Sequence, residues 1–481
     1  MLTNTLKKIL YLSTLSGIAK QKKINVWLVG GLLRDIHLYK KKDYFDFDFC
    51  VEKDVVLIVK EFSKKTKSKY IVLDEAQGSY RVIVKKKNKI YSYDFTLMRG
   101  KDIKEDLSLR DFSINTLAVN LKEKPFKIID FFGGREDLKK KILRVIKEEV
   151  LFHDPLRVLR GFSFMANLGF KIQKKTLLAM VKYKDLLKNV SGERVAEEFF
   201  KILGADHSFK VIKKMDELRV LDEFIPYAKD CRGVYQGKYH HLDVWAHSLE
   251  TLRQFEVLYN KKLARKKEIL DYLSQELSQG RTRAKVIKLA CLLHDIGKPF
   301  AKKIKNKKTI FHAHEKIGSD LLENIALRLR LSFREKDVLK KLTFWHLRPG
   351  YLADQIRPSR RAVYRFFRDT QDEGAGVILL SLSDWRATRG PLTNAARRAR
   401  HEKIMLKLIE TYFKDKKKKP LKHLVDGYDI MRRFNLKPSP IIGEILHKIK
   451  EEQALGKIHT KAQCYSVAKK IIQKAKKKKR K

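Results

Sequence analysis

Strand-forming runs end near residue 132 in this chain, and nearly everything after that point reads as helix. Up to there, short apolar runs (KYIVLD, YRVIVKK, KIYSYDFTL, FKIIDFF) are interleaved with helical segments. After FGGREDLKKK the strand signals almost vanish, and helical patterns are broken only by NVSGER, DCRGVYQGK, GKPF and LRPGY, which read as connections between helices. The expected fold is therefore α+β, with a mixed sheet and helices first and an all-helical remainder. No repeat of solenoid period is present. The 481 residues have room for two to four domains, and no apolar run approaches the ~18 residues of a membrane span.

Charge narrows the partners. Lys and Arg outnumber Asp and Glu by 108 to 56, a formal net charge of +52, which points to a polyanion such as nucleic acid, although general lysine enrichment is a competing source of the excess. Cys50, Cys231, Cys291 and Cys464 lie far apart without metal-ligand spacing, as expected of a reducing cytoplasm. The N-terminal MLTNTLKKILYLSTLSGIAK lacks a small-residue cleavage site and reads as an amphipathic helix; the terminal AKKKKRK reads as an unpacked, mobile electrostatic tail.

Within VWLVGGLLRDIHLYKKKDYFDFDF, Val26 to Val29 reads as a buried strand, Gly30-Gly31 as a turn permitting close backbone approach, and Leu32 to Leu38 as a helix start. Tyr44 to Val51 alternates as a second strand, which puts Asp46 and Asp48 on one face. Two adjacent carboxylates repel unless a cation lies between them. Asp94, in YSYDFTLMRG, sits on a further strand that would complete a three-carboxylate Mg2+ site. A D-x-D alone is also compatible with a strand end facing solvent.

Five motifs follow in order: Gly30-Gly31-x-x-Arg34-Asp35, Asp46-x-Asp48, Asp94-Phe95-Thr96, Leu109-Arg110-Asp111, and Asp130 to Gly134. Together they resemble the palm of the class II tRNA nucleotidyltransferase and bacterial poly(A) polymerase family. The resemblance implies that Asp46, Asp48 and Asp94 serve Mg2+-dependent nucleotide transfer, with Gly30, Gly31, Arg34, Asp35, Arg110 and Asp111 binding the nucleotide. Leu109 departs from the family, which usually has an arginine there. In FHDPLRVLRGF, Asp154, Arg157 and Arg160 share a helix face, and Pro155 suits a first turn. An i, i+3 ion pair explains that spacing equally well. The family resemblance implies that these residues are the protein's template for cytosine or adenine, whose pairing edges both offer an amino donor beside a ring-nitrogen acceptor. His153 stands where the family usually has glutamate.

A second set comprises His247, His294-Asp295, His314, His346 and Asp384, all suitable ligands for Mn, Ni, Fe or Mg-type ions. Their order resembles the HD phosphohydrolase superfamily, which implies a helical domain binding one or two divalent metals. Residues 424 to 464 resemble the family's helical body. The expected organisation is a palm (1–150), a helical neck (151–225), an HD domain (226–400), an RNA-binding body (401–470) and a basic tail (471–481). The implied function is addition of C and A from CTP and ATP to the 3′ end of RNA, with tRNA as the expected RNA, by a cytoplasmic enzyme without membrane contact. The alternatives are a poly(A) polymerase, an enzyme adding only C-C or only A, a metal-dependent phosphohydrolase whose palm merely binds RNA, and a non-catalytic RNA-binding protein.

Overall fold

The computed structural model describes residues 6, 9–38, 45–87, 89–263, 266–306, 308–418 and 422–479. They form two compact units, Met1–Phe224 and Ile225–Lys481. In the first, helix α1 (Leu12–Lys22) precedes strand β1 (Val26–Val29), helix α2 (Gly31–His37), strand β2 (Asp46–Val51) and helix α3 (Val55–Thr66). Strands β3 (Lys69–Asp74), β4 (Ser79–Lys86) and β5 (Lys89–Leu97), helix α4 (Ile103–Ser108) and strand β6 (Ala118–Asn120) complete the sheet region. The six strands lie in the order β3-β4-β5-β2-β1-β6, with β2 and β5 parallel and every other neighbouring pair antiparallel.

The alternation of β2 decides which face does what. Phe47 and Phe49 point into the core against Tyr93, Phe95 and, from α3, Phe62, with ring centroids 4.9 to 6.2 Å apart. Aromatic pairs at such separations add ~0.5–1.5 kcal/mol each beyond the area they bury. Because side chains alternate, fixing the phenylalanines inward turns Asp46 and Asp48 outward. Strand β1 is buried along its whole length, as a strand covered on both faces must be. Tyr44, read as the start of β2, lies outside the described residues, and so does most of the chain before Ile9.

FKIIDFF is not a strand, contrary to its apolar pattern. Only Ile129 bridges to Ala118, because the Asp130 carboxylate accepts from the Gly134 and Arg135 amides at 2.8 and 2.9 Å and turns the chain into a helix. After it, helices α5 (Leu156–Leu168) and α6 (Gly192–Leu203) pack together.

The second unit contains helices α7 (Val244–Leu258) and α8 (Arg283–Leu293), a two-stranded ribbon of β7 (Lys302–Lys305) and β8 (Lys308–Phe311), then α9 (His314–Arg328) and α10 (Phe333–Trp345). Helices α11 (Arg360–Thr370) and α12 (Gly374–Ala387) follow; α12 is buried from Gly374 to Ser383 and packs on α7, α8 and α10. This ribbon, together with the short ladders Ile142–Leu143 with Lys171–Ile172 and Glu276–Ser278 with Arg281–Thr282, corrects the reading of a helical remainder. Helices α13 (Pro440–Ala454) and α14 (Lys461–Lys479) share an isoleucine-rich core. The basic end is therefore not an unpacked tail from residue 471: Ile472 is buried in that core and the helix runs on to Lys479, while Arg480 and Lys481 lie outside the described residues. All four cysteines are buried and unpaired, and no described helix is long and apolar enough to cross a membrane.

Candidate active site

A cleft of about 760 Å³ opens in the first unit where the outward face of β2 meets the glycine turn and α5. Gly30 has φ +80°, and a Cβ there would stand 3.1 Å from an Asp48 carboxylate oxygen and 3.5 Å from Arg110. The bare backbone keeps this space open. Asp48 is open to solvent but sits at the cleft floor. Desolvation raises its carboxyl above the usual range, Arg110 opposes that, and Asp94 and Asp46 add to it. Two carboxylates side by side on the outward face of β2, both lining the cleft, fit a divalent cation.

Asp94 is placed differently. It pairs with Asp48 across the parallel strands, but it also lies opposite Arg81 on β4, whose guanidinium donates to both its oxygens at 2.7 and 2.6 Å. Asp94 does not line the cleft.

The cleft wall is tied together by one polar chain. Arg160 donates to Asp111 at 2.9 Å, Asn115 donates to the other Asp111 oxygen at 2.9 Å, and Arg34 donates to Asn115 at 2.9 Å. Burial alone would raise Asp111, but Arg160, Asn115 and the Phe112 amide hold it below its ordinary value. Asp35 accepts from Arg34 at 2.8 Å and stands behind the lining. The guanidinium groups of Arg34 and Arg160 lie 5.2 and 5.7 Å from the Phe164 ring. Buried Asp106 takes the Arg110 side chain at 3.5 Å. Asn115, Phe164 and Asp106 escaped the sequence reading because their partners are set by the fold; Phe164, four residues after Arg160, was the one with a helical-face signal.

At the start of α5, Arg157 donates to the backbone carbonyl of Leu109 at 2.8 Å and lies 3.8 Å from Asp154. Arg194, at the start of α6, donates to both Asp154 oxygens at 3.1 Å. Asp154, Arg157 and Arg160 all line the cleft, whereas His153 faces a separate hollow with Phe152 and Leu186.

In the second unit the ligand candidates sit on or at the ends of helices: His247 on α7, His294-Asp295 after α8, His314 opening α9, His346 after α10 and Asp384 on α12. Potential donor atoms converge in the triads His247, His294, Asp295 and Asp295, His314, His346, each within 4.8 Å, and Asp384 groups with His294 and His346. The Nδ1 atoms of His294, His314 and His346 lie 3.1, 2.8 and 2.6 Å from the carbonyls of Cys291, Phe311 and Thr343. A carbonyl only accepts, so each Nδ1 carries the proton and each Nε2 turns its lone pair inward. Those three Nε2 atoms and Asp295 Oδ1 are buried without hydrogen-bond partners, which is what a cation site requires. Burial lowers His346 to about 3 and leaves it neutral. Burial would raise Asp295, but His294 and Lys298 hold it well below the usual range.

The family described as Poly A polymerase head domain matches residues 26–144, the probable RNA and SrmB-binding site of polymerase A matches 169–231, and the HD domain matches 244–387. The chain carries a nucleotidyltransferase head domain of the poly(A) polymerase type, followed by an RNA-binding segment and an HD domain. It is 28% identical over 395 residues to the A-adding tRNA nucleotidyltransferase of Deinococcus radiodurans, covering 81% of this chain and 82% of that one. To the CC-adding tRNA nucleotidyltransferase of Thermus thermophilus it is 26% identical, covering 90% of each. The structure of the Thermotoga maritima CCA-adding enzyme complexed with tRNA superposes with a TM-score of 0.64 at 19% identity, covering 96% of this chain and 94% of that one. In this nucleotidyltransferase Asp46, Asp48 and the glycine turn fall inside the head-domain match, the cleft wall of Asp154, Arg157 and Arg160 lies beyond it, and the histidine centre falls inside the HD match. Both domain types depend on divalent metal.

Proposed function

We propose that this nucleotidyltransferase extends the 3′ end of tRNA with C and A taken from CTP and ATP, building C-C-A. The observation that carries the reading is the cleft itself, where Asp46 and Asp48 stand beside an open glycine turn and opposite Arg34, Arg110, Arg157 and Arg160. Asp46 and Asp48 would hold Mg2+, which supplies, in the two-metal arrangement, activation of the RNA 3′ hydroxyl and charge for the departing pyrophosphate. Asp94 joins them only if Arg81 releases it. Gly30 leaves room for triphosphate oxygens, and Arg34 and Arg110 take their charge. Asp35, Asn115 and Asp111 hold Arg34 and Arg160 in place.

Base choice falls to Asp154 and Arg157: the carboxylate accepts from the amino group, and the guanidinium donates to the ring nitrogen, of cytosine or adenine. Uracil and guanine present the reverse pattern and leave buried groups unpaired. The bond from Arg157 to the Leu109 carbonyl uses one of five N–H donors, and others remain for the base.

The test is incubation of tRNAs ending before, within and after C-C-A with each nucleotide triphosphate. Extension through C-C-A, and no further, is expected; release of phosphate without extension sinks the reading. The relatives named A-adding and CC-adding favour a second reading, a partial enzyme, which stops within C-C-A in the same assay.

For the histidine centre, His247, His294, His314, His346, Asp295 and Asp384 would hold one or two divalent ions of the Mn, Ni, Fe or Mg type, with Asp295 common to both triads. The unpartnered Nε2 atoms support this, and such ions supply an activated water for phosphoester hydrolysis.

A further inference from the structure

The ribbon of β7 and β8 is unusual in charge. From Pro299 to His314 the chain has five lysines and no acidic residue. The register sets Lys303 opposite Ile310 and Lys305 opposite Lys308, so alternation puts these four side chains on one face. All four are exposed, and Ile304 on the other face is 76% exposed. No described carboxylate lies within ion-pair distance of Lys303, Lys305 or Lys308. Like charges directly opposite across strands destabilise a ribbon, so Lys305 and Lys308 face each other at a cost that an anion between them would remove.

The base of the ribbon is fastened to the histidine centre. The Phe311 carbonyl accepts from His314 at 2.8 Å, and Lys298 lies 5.7 Å from the Phe311 ring while donating to Asp295 at 2.7 Å. The exposed face is therefore held at a fixed place beside a phosphoester-type centre instead of waving on a loop.

We propose that this lysine face is a binding site for the phosphate backbone of single-stranded RNA, separate from the nucleotide cleft and from the helical body. Repeating ammonium groups on a flat strand face match a linear polyanion, and Ile310 on the same face offers apolar contact to bases without sequence preference. An anionic lipid surface would also attract lysines. RNA is favoured because the chain matches an RNA-binding family at 169–231 and because the ribbon borders a phosphoester-type centre. The inference rests on the reading of RNA as substrate.

The test uses the full chain and a fluorescein-labelled 15-nucleotide RNA carrying 4-thiouridine, in chelator, so that neither transfer nor metal at Asp295 enters. Wild type should cross-link within the 299 to 314 peptide. The variant Lys303→Ser/Lys305→Ser/Lys308→Ser should lose that cross-link and bind about tenfold more weakly at 0.1 M salt. Its slope of log affinity against log salt should fall by about 2, from three lost phosphate contacts on a single strand. Its thermal midpoint should be unchanged or higher, which separates lost binding from lost folding. An unchanged cross-link and slope overturns the proposal. So does a variant that loses binding to phosphatidylglycerol vesicles while keeping its RNA affinity. Extension of tRNA is measured alongside; should wild type extend nothing, the functional reading fails while the cross-link still decides the ribbon.

Discussion

Replacing Asp48 by Ala removes the acceptor that Gly30 and β2 keep at the cleft floor, and nucleotide addition is expected to be abolished. RNA affinity should stay within about twofold, since phosphate contacts act additively at dispersed basic groups; filter binding beside a primer-extension assay checks both, and wild-type extension rates would refute the assignment. Arg157→Ala is expected to leave a base acceptor unpaired at roughly 1–3 kcal/mol, which is about five- to 150-fold in selectivity for CTP and ATP. UTP and GTP use should fall far less. If all four fall equally, Arg157 only ties the chain at Leu109. The D-x-D and glycine pair were legible because a two-residue period and a turn are local properties. The hold of Arg81 on Asp94 was not, because it follows from a β4–β5 register that the intervening residues do not announce.

Among the elements, α13 docks on α11 through charge. Arg365 donates to both oxygens of Glu451 at 2.8 and 3.1 Å, and Lys448 adds a third bond at 3.0 Å. The Arg365 bond, aided by Lys448 against the effect of desolvation, holds Glu451 down to about 2. A lowered folded-state value means that the stabilisation is complete above the unfolded carboxyl's 4.5 and is lost as pH falls from there toward about 2. The excess in thermal midpoint of wild type over Glu451→Gln should accordingly be constant from pH 7 to 5 and shrink between pH 4.5 and 3; a pH-independent difference would refute the pairing. Aromatic alternation made β2 and β5 readable in advance. The β7–β8 ribbon was missed because lysines carry no strand signal, and FKIIDFF was overread because Asp130 spends its carboxylate on the turn instead of the strand.

For the whole molecule, loss of metal from the histidine centre is expected to leave nucleotide addition intact. Chelator, or Asp295→Ala, should strip the second unit's ions and lower its unfolding midpoint, while primer extension in restored Mg2+ is retained by the Asp295→Ala protein. An ion present at 100 times its dissociation constant stabilises by about 2.7 kcal/mol. Elemental analysis checks the loss, and equal metal content in variant and wild type would dismiss the site. The change from sheet to helix near residue 132 foretold the class of each part, yet it could not foretell that His247 and Asp384, 137 residues apart, meet at 2.9 Å. That separation has a consequence for biosynthesis. At about 5–20 residues per second, roughly 7 to 27 s pass between the emergence of these two residues from the ribosome. Throughout that interval the first unit has all its sequence, while the later histidines arrive one after another and the buried face of α12 only at its end. The nascent chain thus gains its D-x-D cleft well before it can enclose an ion among its histidines, and α12 closes that centre last.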